Sequence, residues 1–85
     1  MITKQSLLKF GAQWCAPCHK LDTILIQLHQ DLPNLAIENI DVDDKPDLAR
    51  LYKIKTLPTL IMLQNQIEVD RLTGLTSIEE IKKRL

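Results

Sequence analysis

The sequence predicts one α/β domain over residues 1–85, with the element order β-α-β-α-β-β-α. Three observations support this class. Short, nearly continuous apolar runs are typical of buried strands, and between them apolar residues recur at the spacing of a helical face. The last two strands are separated by a few polar residues, as in a hairpin. Since β-α-β units have parallel strands and hairpins antiparallel ones, we expect a mixed four-stranded sheet with helices on both faces.

The first half of the chain predicts a strand, a helix and a second strand. Residues 6–10 form an apolar run that indicates a central strand. A helix is predicted from about Cys18 to Asp31, where Pro33 follows and ends it. The β-rich segment from Leu35 to Val42 predicts the second strand. The apolar face of the helix consists of Leu21, Ile24, Leu25 and Leu28.

The second half predicts a short helix and a hairpin. Pro46 suits a first helical turn, and the helix that follows carries Leu48, Leu51 and Tyr52 on its apolar side. Residues 59–63 form the third apolar strand. In residues 67–72, Ile67 and Val69 alternate with acidic residues, which indicates an edge strand with one face in water.

The last predicted element is a helix that begins after Ser77. Ser77 and Glu80 have the spacing of a capping box. The apolar residues Ile78, Ile81 and Leu85 follow at helical spacing, and basic residues near the end complement the helix dipole.

Composition narrows the class of partners. Eleven basic and eleven acidic residues cancel, so no general attraction to nucleic acid or to an anionic membrane is expected. Apolar runs are too short to span a bilayer, and the residues from Met1 to Ser6 lack the apolar core of a signal peptide. We therefore expect a cytoplasmic protein with no nucleic-acid or membrane partner. We also expect a monomer.

The chemistry is predicted to lie at Cys15 and Cys18, the two cysteines of the chain. They fall between the first strand and the first helix, where unpaired N–H groups and the helix dipole stabilise a thiolate. The pKa of a thiol at such a place falls below the roughly 8.5 of free cysteine. A second thiol three positions along the chain can attack the mixed disulfide that the first one forms. Pro17 stiffens the first turn without the loss of a needed N–H group.

Two further positions each allow two interpretations. Trp14 is either a flat apolar surface beside the reactive sulfur or an ordinary buried aromatic residue. Pro58 either marks the start of a strand or forms a cis peptide bond with Leu57, which would present a backbone edge next to the sulfurs.

From Phe10 to Cys18 the sequence resembles the active-site segment of the thioredoxin family, with Ala16 in place of the usual glycine. Residues 39–44 are similar to the family's third strand and the turn after it. Residues 57–59 are similar to its cis-proline loop, and Gly74 to the glycine after its final strand. The resemblance covers the chain from about Leu7 to Leu85 and implies the thioredoxin-like fold.

The resemblance implies a protein-disulfide reductase in which Cys15 attacks the substrate and Cys18 resolves the mixed disulfide. It implies protein disulfides as substrates, a thioredoxin reductase or a glutathione system as reductant, and no cofactor or metal. A role in redox homeostasis and as electron donor to reductive enzymes follows. The residues implied to line the substrate groove are Trp14, Ala16, Pro17, Leu57, Pro58 and Gly74.

Two departures from the family pattern stand out. The sequence begins where the family's second strand begins, so we expect a core that lacks the N-terminal strand and helix. The family's buried aspartate, six residues before the attacking cysteine, is replaced by Lys9. Lys9 either favours a thiolate as a half-buried ammonium or extends to solvent. His19 either tunes the thiols or, as we favour, faces water.

Three alternative functions are compatible with parts of the sequence. Residues 15–19 match the pattern of covalent haem attachment, with His19 as axial ligand. Cys15, Cys18, His19 and His29 contain the ligand types of a zinc site, although two of them are adjacent. A non-enzymatic binding module is the third alternative, and disulfide reduction distinguishes it from an oxidoreductase.

Overall fold

The computed structural model describes residues 4–85, so the prediction about a signal peptide falls partly on residues 1–3, outside the described ones. Within the described part, no helix is both long enough and apolar enough to cross a membrane. The predicted element order is confirmed. The elements are β1 (Gln5–Gly11), α1 (Ala16–Asp31), β2 (Ala36–Asp41), α2 (Pro46–Leu51), β3 (Thr59–Gln64), β4 (Ile67–Thr73) and α3 (Ile78–Lys83).

The strands form one mixed sheet in the order β2-β1-β3-β4. β1 pairs parallel with β2 and antiparallel with β3, while β3 and β4 form the antiparallel hairpin. β1 therefore has a neighbour on each side, and residues 7–11 are all buried. This central position confirms the interpretation of its continuous apolar run.

Successive residues of β1 face opposite layers, which builds two cores. Leu7 packs with residues of α1 and α3, including Leu21 and Ile81. Phe10 packs on the other face, where its ring centroid lies 5.5 Å from that of Tyr52 at the end of α2. Helices therefore cover both faces of the sheet, as predicted.

Two predictions about side-chain orientation are wrong. Leu51, predicted on the apolar side of α2, is 70% exposed, while Leu48 and Tyr52 pack against the core. In β4, Ile67 and Val69 are exposed. The register passes from Leu63–Glu68 to Met62–Asp70, so Val69 is an extra residue in a bulge. The bulge changes which residues face the core, although β4 is the edge strand that was predicted.

Side-chain contacts attach α3 to the rest of the fold. Ser77 Oγ accepts a hydrogen bond from the Glu80 N–H group at 3.1 Å and caps the helix. Lys82 Nζ lies 2.9 Å from Asp31 Oδ2, and Arg84 Nη1 lies 2.9 Å from Asp70 Oδ2. The hydrogen bond from Lys82 lowers the pKa of the Asp31 carboxyl, and that from Arg84 lowers the pKa of the Asp70 carboxyl.

Because of these two carboxylates, we expect the free energy of unfolding to fall in acid. Their pKa values are lower in the folded chain, so the unfolded chain takes up protons first as the pH falls through about 4. Their contribution is complete above that pH and disappears as Asp31 and Asp70 become protonated. Urea unfolding between about pH 7 and pH 2.5 measures this contribution to the free energy of unfolding. We expect a modest contribution, because both carboxylates are partly exposed. The doubly substituted Asp31→Asn/Asp70→Asn protein should show a flatter pH profile, and an unchanged profile would contradict the assignment.

Candidate active site

The two cysteines lie at the beginning of α1 and are joined by a disulfide bond. The helix begins at Ala16, two residues before the predicted start, with Cys15 as its N-cap and Pro17 in the first turn. The Cys15 Sγ accepts a hydrogen bond from the Cys18 N–H group at 3.3 Å. This N–H group is one of those that the helix itself leaves unpaired, so the helix start favours negative charge on Cys15.

The two sulfur-bearing residues differ in their access to solvent. Cys15 is 6% exposed and Cys18 is 0% exposed. Ala12 is buried with them, and Val42 and Leu57 pack against the pair. Both cysteines are buried, but Cys15 lines a surface groove and Cys18 does not, so a second molecule would meet Cys15 first.

A groove of about 610 Å³ lies next to Cys15. Trp14 lines it and is 71% exposed, with its indole Nε1 donating to Asp43 Oδ2 at 3.0 Å. The interpretation of Trp14 as a surface beside the sulfur is thus supported, and the alternative of a buried aromatic residue is wrong. Among the other groove residues are Ala16, Pro17, Val42, Ile54 and Leu57.

The proline loop brings residues from far along the chain to the cysteines. The Leu57–Pro58 peptide bond is cis, which was one of the two interpretations of the sequence. Leu57 lines the groove, whereas Pro58 is buried behind it. Gly74 has a φ of 81° and donates its N–H to the Pro58 carbonyl at 2.7 Å. A left-handed φ suits glycine, so Gly74 supports the loop from the backbone.

Lys9 is buried, and the alternative in which it extends to solvent is wrong. Its side chain is 6% exposed, and its Nζ lies 2.7 Å from Asp22 Oδ1. His19 is exposed, as favoured from the sequence: its Nε2 lies 2.6 Å from the Gln13 carbonyl, and its Nδ1 lies 3.9 Å from Asp22 Oδ2. Lys9, Asp22 and His19 thus form one polar cluster beside the active-site helix.

Sequence reasoning missed several of these residues. Asp22 lies one helical turn after Cys18, and this spacing could have indicated that both occupy the same helix face. Val42 and Asp43 reach the site because β2 pairs parallel with β1, where the Val42 N–H donates to the Gly11 carbonyl at 2.9 Å. Ile54 follows α2, where its N–H donates to the Ala49 carbonyl at 2.9 Å. No local pattern in the sequence indicates that approach.

The candidate zinc ligands are not brought together. His29 lies in the last turn of α1, at the opposite end from Cys15 and Cys18. Within residues 4–85, no three or more histidine, cysteine, aspartate or glutamate residues are grouped so that they could hold a metal ion. The arrangement of the described residues is suited to thiol chemistry, with one cysteine lining the groove and the other enclosed.

Comparisons with known proteins agree with this geometry. The sequence profile of the thioredoxin family matches residues 2–85. The chain is 36% identical over 77 residues to the thioredoxin of Chlamydia trachomatis serovar D, covering 91% of this chain and 76% of that protein. It is 35% identical over 71 residues to rice thioredoxin H5, covering 84% of this chain and 53% of that protein, about half its length. The crystal structure of the Nicotiana alata thioredoxin NaTrxh superposes with a TM-score of 0.90 at 26% identity, covering 99% of this chain and 72% of that one.

Proposed function

Because this chain belongs to the thioredoxin family, we propose that Cys15 is its attacking thiol and Cys18 its resolving thiol. The chain is a thiol–disulfide oxidoreductase of the protein-disulfide reductase class, with a general role in redox homeostasis. The observation that carries the assignment of roles is the unequal exposure of the two cysteines. Cys15, at the helix start, lines the groove and is therefore the cysteine that a substrate can meet first.

The cycle has two exchange steps. In the first, the Cys15 thiolate attacks one sulfur of a substrate disulfide, so that a Cys15–substrate bond forms and the other substrate sulfur leaves as a thiolate. In the second, the Cys18 thiolate attacks the Cys15 Sγ and expels the remaining substrate sulfur. The substrate has then gained two electrons, its thiolates take protons from water, and Cys15 and Cys18 form the disulfide seen in the structure.

The substrate is an extended protein segment bound in the apolar groove. Trp14, Ala16 and Pro17 would contact its side chains, and the Leu57 backbone would pair with its main chain. Pro58 and Gly74 would hold that backbone edge in place, since Gly74 hydrogen-bonds the Pro58 carbonyl. A groove of about 610 Å³ accommodates several side chains on either side of a disulfide.

The proposal also includes the oligomeric state, the cellular compartment and the electron donor. The chain acts as a monomer in the cytoplasm, receives electrons from a thioredoxin reductase in preference to a glutathione system, and passes them to reductive enzymes. Membership of the thioredoxin family supports the reductase as donor. The zero net charge supports protein partners over nucleic acid or anionic membranes.

Insulin reduction with two electron donors tests this function. We expect turnover when NADPH and thioredoxin reductase regenerate the dithiol, and slower turnover with glutathione and glutathione reductase. The control is the same protein with both thiols alkylated by iodoacetamide, which should have no activity. A protein that reduces insulin with neither donor, even after chemical reduction, would be a binding module rather than an oxidoreductase.

A further inference from the structure

Lys9 is a buried lysine in the middle of the central strand. A charged ammonium is rarely buried without a partner, because loss of hydration is costly. Lys9 lies on the same face of β1 as Leu7, toward α1, and its Nζ lies 2.7 Å from Asp22 Oδ1. Within residues 4–85, that oxygen is buried and has no hydrogen bond of regular geometry, so the ammonium is what compensates its charge.

The ammonium also lies close to the buried cysteine. A Cβ atom built on Gly11 would be 2.9 Å from Lys9 Nζ and 3.2 Å from Cys18 Cβ. Lys9 Nζ and Cys18 Cβ are therefore at most about 6 Å apart, because each lies about 3 Å from that Cβ position. Glycine at this position leaves the space between them free of any side chain.

A small cavity lies beside Lys9 on this side of the sheet, and neither cysteine lines it. It has a volume of about 190 Å³, and Lys9, Gly11, His19 and Asp22 are among the residues that line it. Asp41 at the end of β2 also lines it, so among residues 4–85 the titratable groups around the ammonium are Asp22, Asp41 and His19.

We propose that Lys9 is a positioning residue that stabilises negative charge on the active-site sulfurs, and that Asp22 moderates this effect. The inference rests on the two-cysteine cycle proposed above. When Cys18 loses its proton to water, its thiolate attacks the Cys15 Sγ of the mixed disulfide, and the ammonium stabilises the Cys18 anion until the new S–S bond forms and the substrate sulfur leaves as a thiolate. When Cys15 and Cys18 are reduced, the same ammonium stabilises a thiolate of this pair.

The charge acts unequally on the two redox states. The disulfide is neutral, whereas the dithiol form carries a thiolate, so a nearby cation stabilises the reduced state more. Removal of Lys9 should therefore make the protein more reducing. Loss of the negative charge at Asp22 should make it less reducing, because the ammonium then acts without compensation. A purely structural ion pair would stabilise both redox states alike and leave the equilibrium unchanged.

The opposite signs of these two effects are the test. Equilibration with glutathione buffers gives the redox equilibrium of Lys9→Met, Asp22→Asn and the double variant. We expect Lys9→Met to shift the equilibrium about tenfold toward the disulfide. For a two-electron couple, this shift corresponds to a reduction potential that is about 30 mV lower. Asp22→Asn should shift it toward the dithiol, and the double variant should lie between them. Single-turnover measurements should also show slower resolution of the mixed disulfide in Lys9→Met.

The controls separate charge from folding. Lys82→Met removes the lysine of another lysine–aspartate pair, between α3 and the far end of α1, and should leave the redox equilibrium unchanged. Lys9→Arg keeps a cation, so its redox equilibrium should stay close to that of the unsubstituted protein, even if Lys9→Met is less stable. Shifts of the same sign in Lys9→Met and Asp22→Asn, or no shift in either, would overturn the inference. Insulin reduction by these variants would show that the two-cysteine cycle itself still stands.

Discussion

A Cys18→Ser protein is expected to stop on its substrate as a stable covalent adduct. Cys15 still lines the groove at the start of α1 and can attack a disulfide. The hydroxyl at position 18 is a poor nucleophile at neutral pH, so the mixed disulfide is not resolved from within. Turnover should fall at least about a hundredfold, because an external thiol replaces one that is already positioned.

The adduct can be seen directly. After reaction with a disulfide-containing protein, non-reducing electrophoresis and intact mass spectrometry should detect one substrate chain bound through Cys15. The matched control is Cys15→Ser, in which the remaining Cys18 is 0% exposed and should form little adduct. Equal adduct formation by both variants would contradict the assignment of Cys15 as the attacking thiol.

Local patterns were sufficient to predict the elements of the fold. The apolar run of β1 and the helical spacing in α1 identified both, since burial on two faces and burial on one face leave different periodicities. Orientation was less predictable. The bulge at Val69 and the exposure of Leu51 depend on contacts between β3 and β4 and on how α2 rests on the sheet. Such contacts join segments that are separate in the sequence and leave no periodic signal.

The residues of the candidate active site also differ in how well the sequence alone predicts them. Cys15, Pro17 and Cys18 could be predicted, because they act through the start of the helix on which they lie. Asp43 reaches Trp14 only because parallel pairing places the end of β2 beside the end of β1. The burial of Lys9 likewise depends on the approach of α1 to β1. Residues that act across elements require the tertiary structure.

A Leu28→Ala substitution is expected to remove a large share of the folding stability. Leu28 is 0% exposed and belongs to the core that joins α1 to the sheet and to α3. Truncation of a buried leucine leaves a cavity and costs about 2–5 kcal/mol. A domain of 85 residues has a total stability of only about 4–13 kcal/mol at typical values per residue. Urea unfolding of the reduced protein should show a much lower midpoint with an unchanged slope.

The control is the same substitution at Leu51, whose side chain is 70% exposed on α2. It should change the stability by no more than about 0.5 kcal/mol, because few contacts are lost and alanine is a good helix former. The cysteines lie at the beginning of α1 and Leu28 lies near its end. Folded Leu28→Ala protein should therefore keep its redox equilibrium while its unfolding midpoint falls. A large effect at Leu51, or a small one at Leu28, would contradict the placement of the core on this face of the sheet.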